Sequence, residues 1–174
     1  MKDKIRTLSA AIRALTQVAL WLSATGLVLM TAFIAWQVYG RFVLNDTPTW
    51  TETSSVLLMG WFILLGAAVG IREGNHLSFD VLLFILPDHV KRVLYTVSDL
   101  VVIAFAIGMV VYGIQLARNA WSTTIPNLGF SGGIVFLALI CGGVLMVLFS
   151  VERILRRVAG LPTARFGEDL VEED

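Results

Sequence analysis

Charge is what this chain has least of. Only 15% of its 174 residues are Asp, Glu, Lys or Arg, against about 25% in an average soluble domain. The shortage is concentrated. No charged residue occurs from Ala14 to Gly40, Thr53 to Ile71, Leu100 to Ala117 or Asn119 to Val151. An ionisable group at mid-bilayer costs roughly 2.5–3.5 kcal/mol, so where one occurs it usually moves ions or protons. Its absence from the centre of every run argues against a proton-coupled exporter acting alone. Histidine is limited to His76 and His89, both between runs, which leaves no axial ligands for a haem held between helices. HxxxH, CxxC, GxSxG and the phosphate-binding glycine loop are missing from the sequence. Ser78, His76 and Asp80 cluster without a nucleophile motif around them. The chain therefore reads as neither an enzyme nor the holder of a cofactor. Its single cysteine, Cys141, has no partner for a disulfide and reads as a buried thiol. Net charge is zero, so nothing points to nucleic acid.

Apolar residues are abundant instead, at 57%, against roughly 45–50% in soluble domains. A bilayer core of about 30 Å takes about 20 helical residues, and each uncharged run is long enough. The early part of the last run holds Asn127, Gly129, Ser131, Gly132 and Gly133, a poor helix interior, so it contributes one span. The expectation is an all-α integral membrane protein, one domain over 1–174. Its four transmembrane helices fall at about 18–39, 53–71, 93–117 and 134–151. The first run is too long for the apolar core of a cleavable signal peptide. Eleven of the thirteen Lys and Arg residues fall on alternate sides that include both tails and the second loop; only Arg41 and Arg118 fall on the other. The positive-inside rule then places both termini in the cytoplasm. An acidic tail at about 166–174 reads as disordered.

Two amphipathic interfacial helices are expected beside the spans. Ile5, Leu8, Ile12 and Leu15 recur at spacings of three and four among basic residues, which suits a helix lying on the leaflet before turning into the first span, or a plain basic anchor. Between spans two and three, Ser78 could cap a short surface helix from Phe79 to Leu86, since about ten apolar residues cannot cross. The polar turn before it suggests a local cluster of Arg72, His76 and Asp80. Asp99 lies within reach of Lys91 or Arg92, and the basic stretch Arg153 to Arg157 faces the leaflet. Arg41 and Glu52 flank a short loop as helix-end groups and could pair. Gly66 and Gly70 form a small-residue patch suited to close helix packing.

Arg41-Phe42, Trp50-Thr51-Glu52, Gly60-Trp61, Leu65-Gly66-Ala67-Ala68 and above all Arg72, Gly74, His76 and Asp80, closed by Leu86-Pro87, resemble the small (DctQ-like) membrane subunit of tripartite ATP-independent periplasmic (TRAP) transporters. A second acid often found after Glu52 in that family is Thr53 here. The resemblance implies a bacterial inner-membrane subunit that braces a large permease subunit. It further implies a periplasmic substrate-binding protein delivering an organic anion, a carboxylate or sialic acid, and sodium coupling in the large subunit. The acidic tail reads as the end of an unfused form. Asp46 and Arg118, on the outer loops, become candidates for contact with the binding protein. The competing class is a self-contained small membrane protein, an exporter or a redox-enzyme anchor.

Overall fold

The computed structural model describes residues 2–73 and 88–159. His76, Asp80, the surface helix expected at 79–86 and the acidic tail lie outside the described residues. The described chain holds four long helices: α1 (Lys2–Tyr39), α2 (Thr49–Glu73), α3 (Asp88–Asn119) and α4 (Gly133–Val158). All four are long and apolar enough to cross a membrane.

The first helix departs from expectation. The basic N-terminal stretch does not turn at a separate surface helix; Lys2 to Tyr39 form one uninterrupted helix. The reason lies in a single row of residues. Ile12, Thr16, Ala19, Ser23, Gly26, Met30, Phe33, Gln37 and Gly40 recur at alternating steps of four and three, and all are buried or half-buried. That repeat is the seam of a left-handed helix pair, and its partner is α2. Ser23 Oγ donates to the Phe62 carbonyl at 2.7 Å. A Cβ added to Gly26 would stand 3.1 Å from Phe62 Cβ. Phe33 meets Trp50 edge to face at 5.4 Å. The seam reaches back to Ile12, within the segment expected on the leaflet, so packing carries the helix straight through.

One π-helical turn, Gly40–Leu44, ends α1. Asn45 takes a left-handed conformation, φ 52°, and its N–H bonds to the Gly40 carbonyl, a geometry Asn tolerates through its short polar side chain. Gly40 itself has no room for a side chain: a Cβ would lie 2.8 Å from the Asp46 carbonyl and 3.0 Å from Pro48 Cδ. The returning chain presses on α1 at this point.

The helices do not pack in sequence order. α2 lies between α1 and α4, and α4 lies between α2 and α3, with a minor contact from α1 to α4. The spatial row is α1, α2, α4, α3. Glycines on α4 permit this sandwich. At Gly142 an added Cβ would be 2.8 Å from Leu64 Cβ, and at Gly143 2.9 Å from the Ala106 carbonyl, so one helix meets α2 and α3 on adjacent glycines. A compact loop closes the α3–α4 end. Ile125 N–H bonds to the Phe130 carbonyl, Gly132 N–H bonds to the Thr123 carbonyl, each at 2.7 Å, and Asn127 Nδ2 reaches the Thr49 carbonyl at 3.4 Å.

Cys141 is exposed on α4, contrary to the buried thiol expected; on a membrane helix an outward apolar position faces lipid, so residence in a span does not imply burial in protein. Of the predicted glycine patch, Gly66 packs on Ser23, with 3.0 Å from an added Cβ to the hydroxyl, whereas Gly70 meets nothing within 4 Å. Gly142→Ala should therefore cost about 1–3 kcal/mol by overpacking, and Gly70→Ala should stay within about 0.5 kcal/mol. Thermal unfolding of the two purified variants in detergent checks this; equal midpoints would show that the α2–α4 contact tolerates a methyl group.

Candidate functional site: a charge cluster joining three helix ends

Spacing along the helices sets where charge can reside. From Glu52 to Arg72 on α2 is about 30 Å of rise; Asp99 to Arg118 on α3 and Gly133 to Glu152 on α4 are each about 28 Å. All three intervals match one hydrocarbon core. They place Trp50, Glu52, Arg118 and Trp121 at one boundary, and Arg72, Asp99 and Glu152 at the other. At this second boundary, the Arg153 end, six charged side chains converge.

Asp99 of α3 is completely buried. Its carboxylate accepts from Arg157 Nη2 at 2.8 Å, and its other oxygen lies 3.4 Å from Arg153 Nε. Arg153 and Arg157 are four residues apart on α4, so both lie on one face and reach the same acid. Arg157 also donates to Thr96 Oγ1 at 3.0 Å and stands 5.5 Å from the centre of the Tyr95 ring. The second acid, Glu152, is 3% exposed. It accepts from Arg72 Nε at 3.2 Å and lies 3.7 Å from Arg156 Nη1, one turn further along α4.

Arg153 links the two halves. Its Nη1 donates to the Ile71 carbonyl and lies 3.5 Å from the Arg72 carbonyl. These are final carbonyls of α2, which have no partner within their own helix and carry the negative end of its dipole. One α4 arginine thus caps α2 while an α3 carboxylate holds that arginine in place. The arrangement offers no nucleophile; its chemistry is that of a polar clamp.

The clamp corrects one expectation and adds to another. Asp99 is held by Arg153 and Arg157, distant in sequence; the side chains of Lys91 and Arg92, expected within its reach, lie outside what the structure describes. The Arg153 to Arg157 stretch turns inward instead of toward the leaflet: Arg153 and Arg156 are buried, while Val151, Leu155 and Val158 face out. Here α4 is charged inside and apolar outside, as a helix in lipid must be. The sequence carried that signal, because Glu152, Arg153, Arg156 and Arg157 share one face and Val151, Leu155 and Val158 the other. Arg72 belongs to this cluster through Glu152. Its proposed association with His76 and Asp80 falls outside the described residues.

The remaining candidates lie at the Trp50 end. Arg41 and Glu52 are both exposed and form no ion pair with each other; the Arg41 guanidinium stands 5.9 Å from the centre of the Phe42 ring. Asp46 and Arg118 are exposed.

Removing one member of a buried ion pair leaves the other uncompensated, at a cost of about 3–5 kcal/mol. Asp99→Asn should therefore be the most destabilising single change in the cluster, since two arginines depend on it. Arg157→Gln should cost less, because Asp99 keeps Arg153. Unfolding midpoints in detergent give the order; an unshifted Asp99→Asn protein would show that the clamp contributes nothing to stability.

The family profile described as "Tripartite ATP-independent periplasmic transporters, DctQ component" matches residues 30–160, a stretch that takes in the last part of α1, from Met30, and all of the other three helices. Over 126 residues the chain is 31% identical to the sialic acid TRAP transporter small permease protein SiaQ of Vibrio cholerae, covering 72% of each chain. It is 30% identical over 78 residues to the C4-dicarboxylate TRAP transporter small permease protein DctQ of the same organism, covering 45% of this chain and 34% of that one. A third similarity, 27% over 128 residues, is to the sialic acid TRAP transporter permease protein SiaT of Haemophilus influenzae, and spans 73% of this chain but 21% of that longer one. Four membrane-length helices without a charged centre, three of them joined by a buried ion network, accompany that match, and the chain belongs to the DctQ family, the small permease component of TRAP transporters, in the bacterial inner membrane.

Proposed function

We propose that this chain is a stationary brace for the large permease subunit, in uptake that depends on a periplasmic binding protein and is coupled to sodium. The observation that carries the proposal is the similarity to a segment of a much longer permease protein: most of this chain aligns with about a fifth of that polypeptide. The geometry supports a static role. At the Arg153 end Arg72, Asp99, Glu152, Arg153 and Arg157 are engaged across helices, and no charged residue lies in the middle of a span where an ion would pass. Substrate and sodium sites then belong to the large subunit, and this chain needs no cofactor and catalyses no reaction. The relatives' printed substrates, sialic acid and C4-dicarboxylates, support an organic anion as cargo.

In this proposal both termini are cytoplasmic and the Trp50 end is periplasmic, on the eleven-to-two distribution of Lys and Arg. Arg72, His76 and Asp80 act together to seat the segment after α2, and Arg41 and Glu52 serve assembly at the opposite end. Asp46 and Arg118 orient the incoming binding protein.

Tagged chain should copurify with one large permease subunit, and a redox flavoprotein in its place would favour the anchor class. A membrane-impermeant thiol reagent added outside whole cells should label cysteine at Asn45 or Asn127 and miss the C-terminal tail; strong tail labelling would invert the orientation. In reconstituted vesicles, Asp46→Lys or Arg118→Glu should slow uptake at limiting binding protein with the membrane complex intact, since rim charges act mainly on encounter. Superimposable uptake curves would remove both residues from the docking surface.

A further inference from the structure

Three helices of this protein fit one hydrocarbon core, and the fourth does not. Arg13 and Arg41 bound the uncharged part of α1, an interval of about 42 Å along the axis, some 12 Å more than the core requires. The Phe33–Trp50 contact fixes the level of α1 against the start of α2, which lies at a bilayer boundary. Beyond Phe33, α1 and its π-helical turn continue to Leu44, on the order of 15 Å further. A headgroup layer accounts for only about 5–7 Å of that. Trp36 and Tyr39 suit that layer, but Phe42, Val43 and Leu44 lie above it. All three are exposed, Phe42 at 75%.

Such an apolar tip in water is a contact surface waiting for protein. It is also the top of a continuous row. Val28, Thr31, Ala35, Val38 and Phe42 recur at steps of three and four, and every one is exposed. The row lies away from the seam that grips α2. The Thr31 hydroxyl is satisfied within α1 by the Leu27 carbonyl at 2.9 Å, so the row presents no unpaired polar group. Lipid can cover its lower part and cannot cover its top. A soluble protein can cover the top and cannot reach Val28 in the membrane. A single partner that covers the whole row must be embedded in the same bilayer and rise above it.

We infer that the Val28–Phe42 face of α1, with the Phe42-Val43-Leu44 tip, is a docking surface for the large permease subunit. The inference rests on the proposed function for the existence of that partner, and adds which face meets it and at what height. The α1 overshoot then has a physical purpose: it extends the brace beyond the membrane along the partner's flank.

The test uses the full chain with a photoreactive amino acid at position 42, 38 or 101, co-expressed with the large subunit of its own transporter and irradiated in membranes. Val101 is an exposed position on α3, distant from α1 in the row. Crosslinks from 42 and 38 to the large subunit are expected, together with about a tenfold loss of copurified large subunit in Phe42→Asp. An intact complex in which position 42 crosslinks only to lipid, to a second copy of this chain or to the binding protein overturns the inference. So does an intact complex crosslinked from 101 and not from 42, which would move the interface to α3. If the unaltered chain recovers no large subunit, the transporter reading fails first, and the docking surface falls with it.

Discussion

The buried carboxylate of Asp99 is the constraint on which the rest of the described structure turns. A charge at the edge of a hydrocarbon core is stable only when it is paired and hydrogen-bonded inside the protein. Asp99 meets that condition by drawing two arginines from α4, and one of these, Arg153, in turn covers the open carbonyls of α2. The ends of α2, α3 and α4 are thereby brought to one level. The glycine contacts at Gly142 and Gly143 let them approach, but apolar packing in lipid is weakly directional, and the ion network supplies the register.

The result is a row of helices with much of its surface uncovered. In water that surface would be a fault. In a bilayer the lipid-facing part costs little, because hydrocarbon solvates Val and Leu as well as a protein interior does. What lipid cannot solvate is the part of α1 that rises past the headgroups. Stiffness at one end and an uncovered apolar extension at the other are properties of a component built to lie against something larger. Both follow from the same division of labour: charge is used for internal fixation, and the apolar surface is left for the surroundings.

Several expectations failed for a shared reason. The Arg153 to Arg157 stretch was turned to the leaflet, Cys141 was taken as buried, and α1 was broken before its span. Each inference used local spacing where the outcome depended on which helix lies beside which. The row order α1, α2, α4, α3 puts α4 between α2 and α3, so the acid of α3 meets arginines more than fifty positions away. It also turns one side of α4, with Cys141, outward. The seam from Ile12 to Gly40 holds α1 straight only because α2 is there to receive it.

The sequence by itself determined the class of structure. Uncharged runs of membrane length, the placement of Lys and Arg, and the motif from Arg41 to Pro87 were enough for four spans and the DctQ family, because burial in hydrocarbon forbids charge and length is set by a fixed thickness. It also contained the inward-charged face of α4, readable from the spacing of Glu152, Arg153, Arg156 and Arg157 against Val151, Leu155 and Val158. Tertiary structure alone decided the partners: which acid those arginines hold, which glycines are contacts, and how far α1 stands above its neighbours. Membrane helices are apolar on nearly every face, so their hydrophobic periodicity does not mark the side that meets protein. Only the packed helices distinguish it.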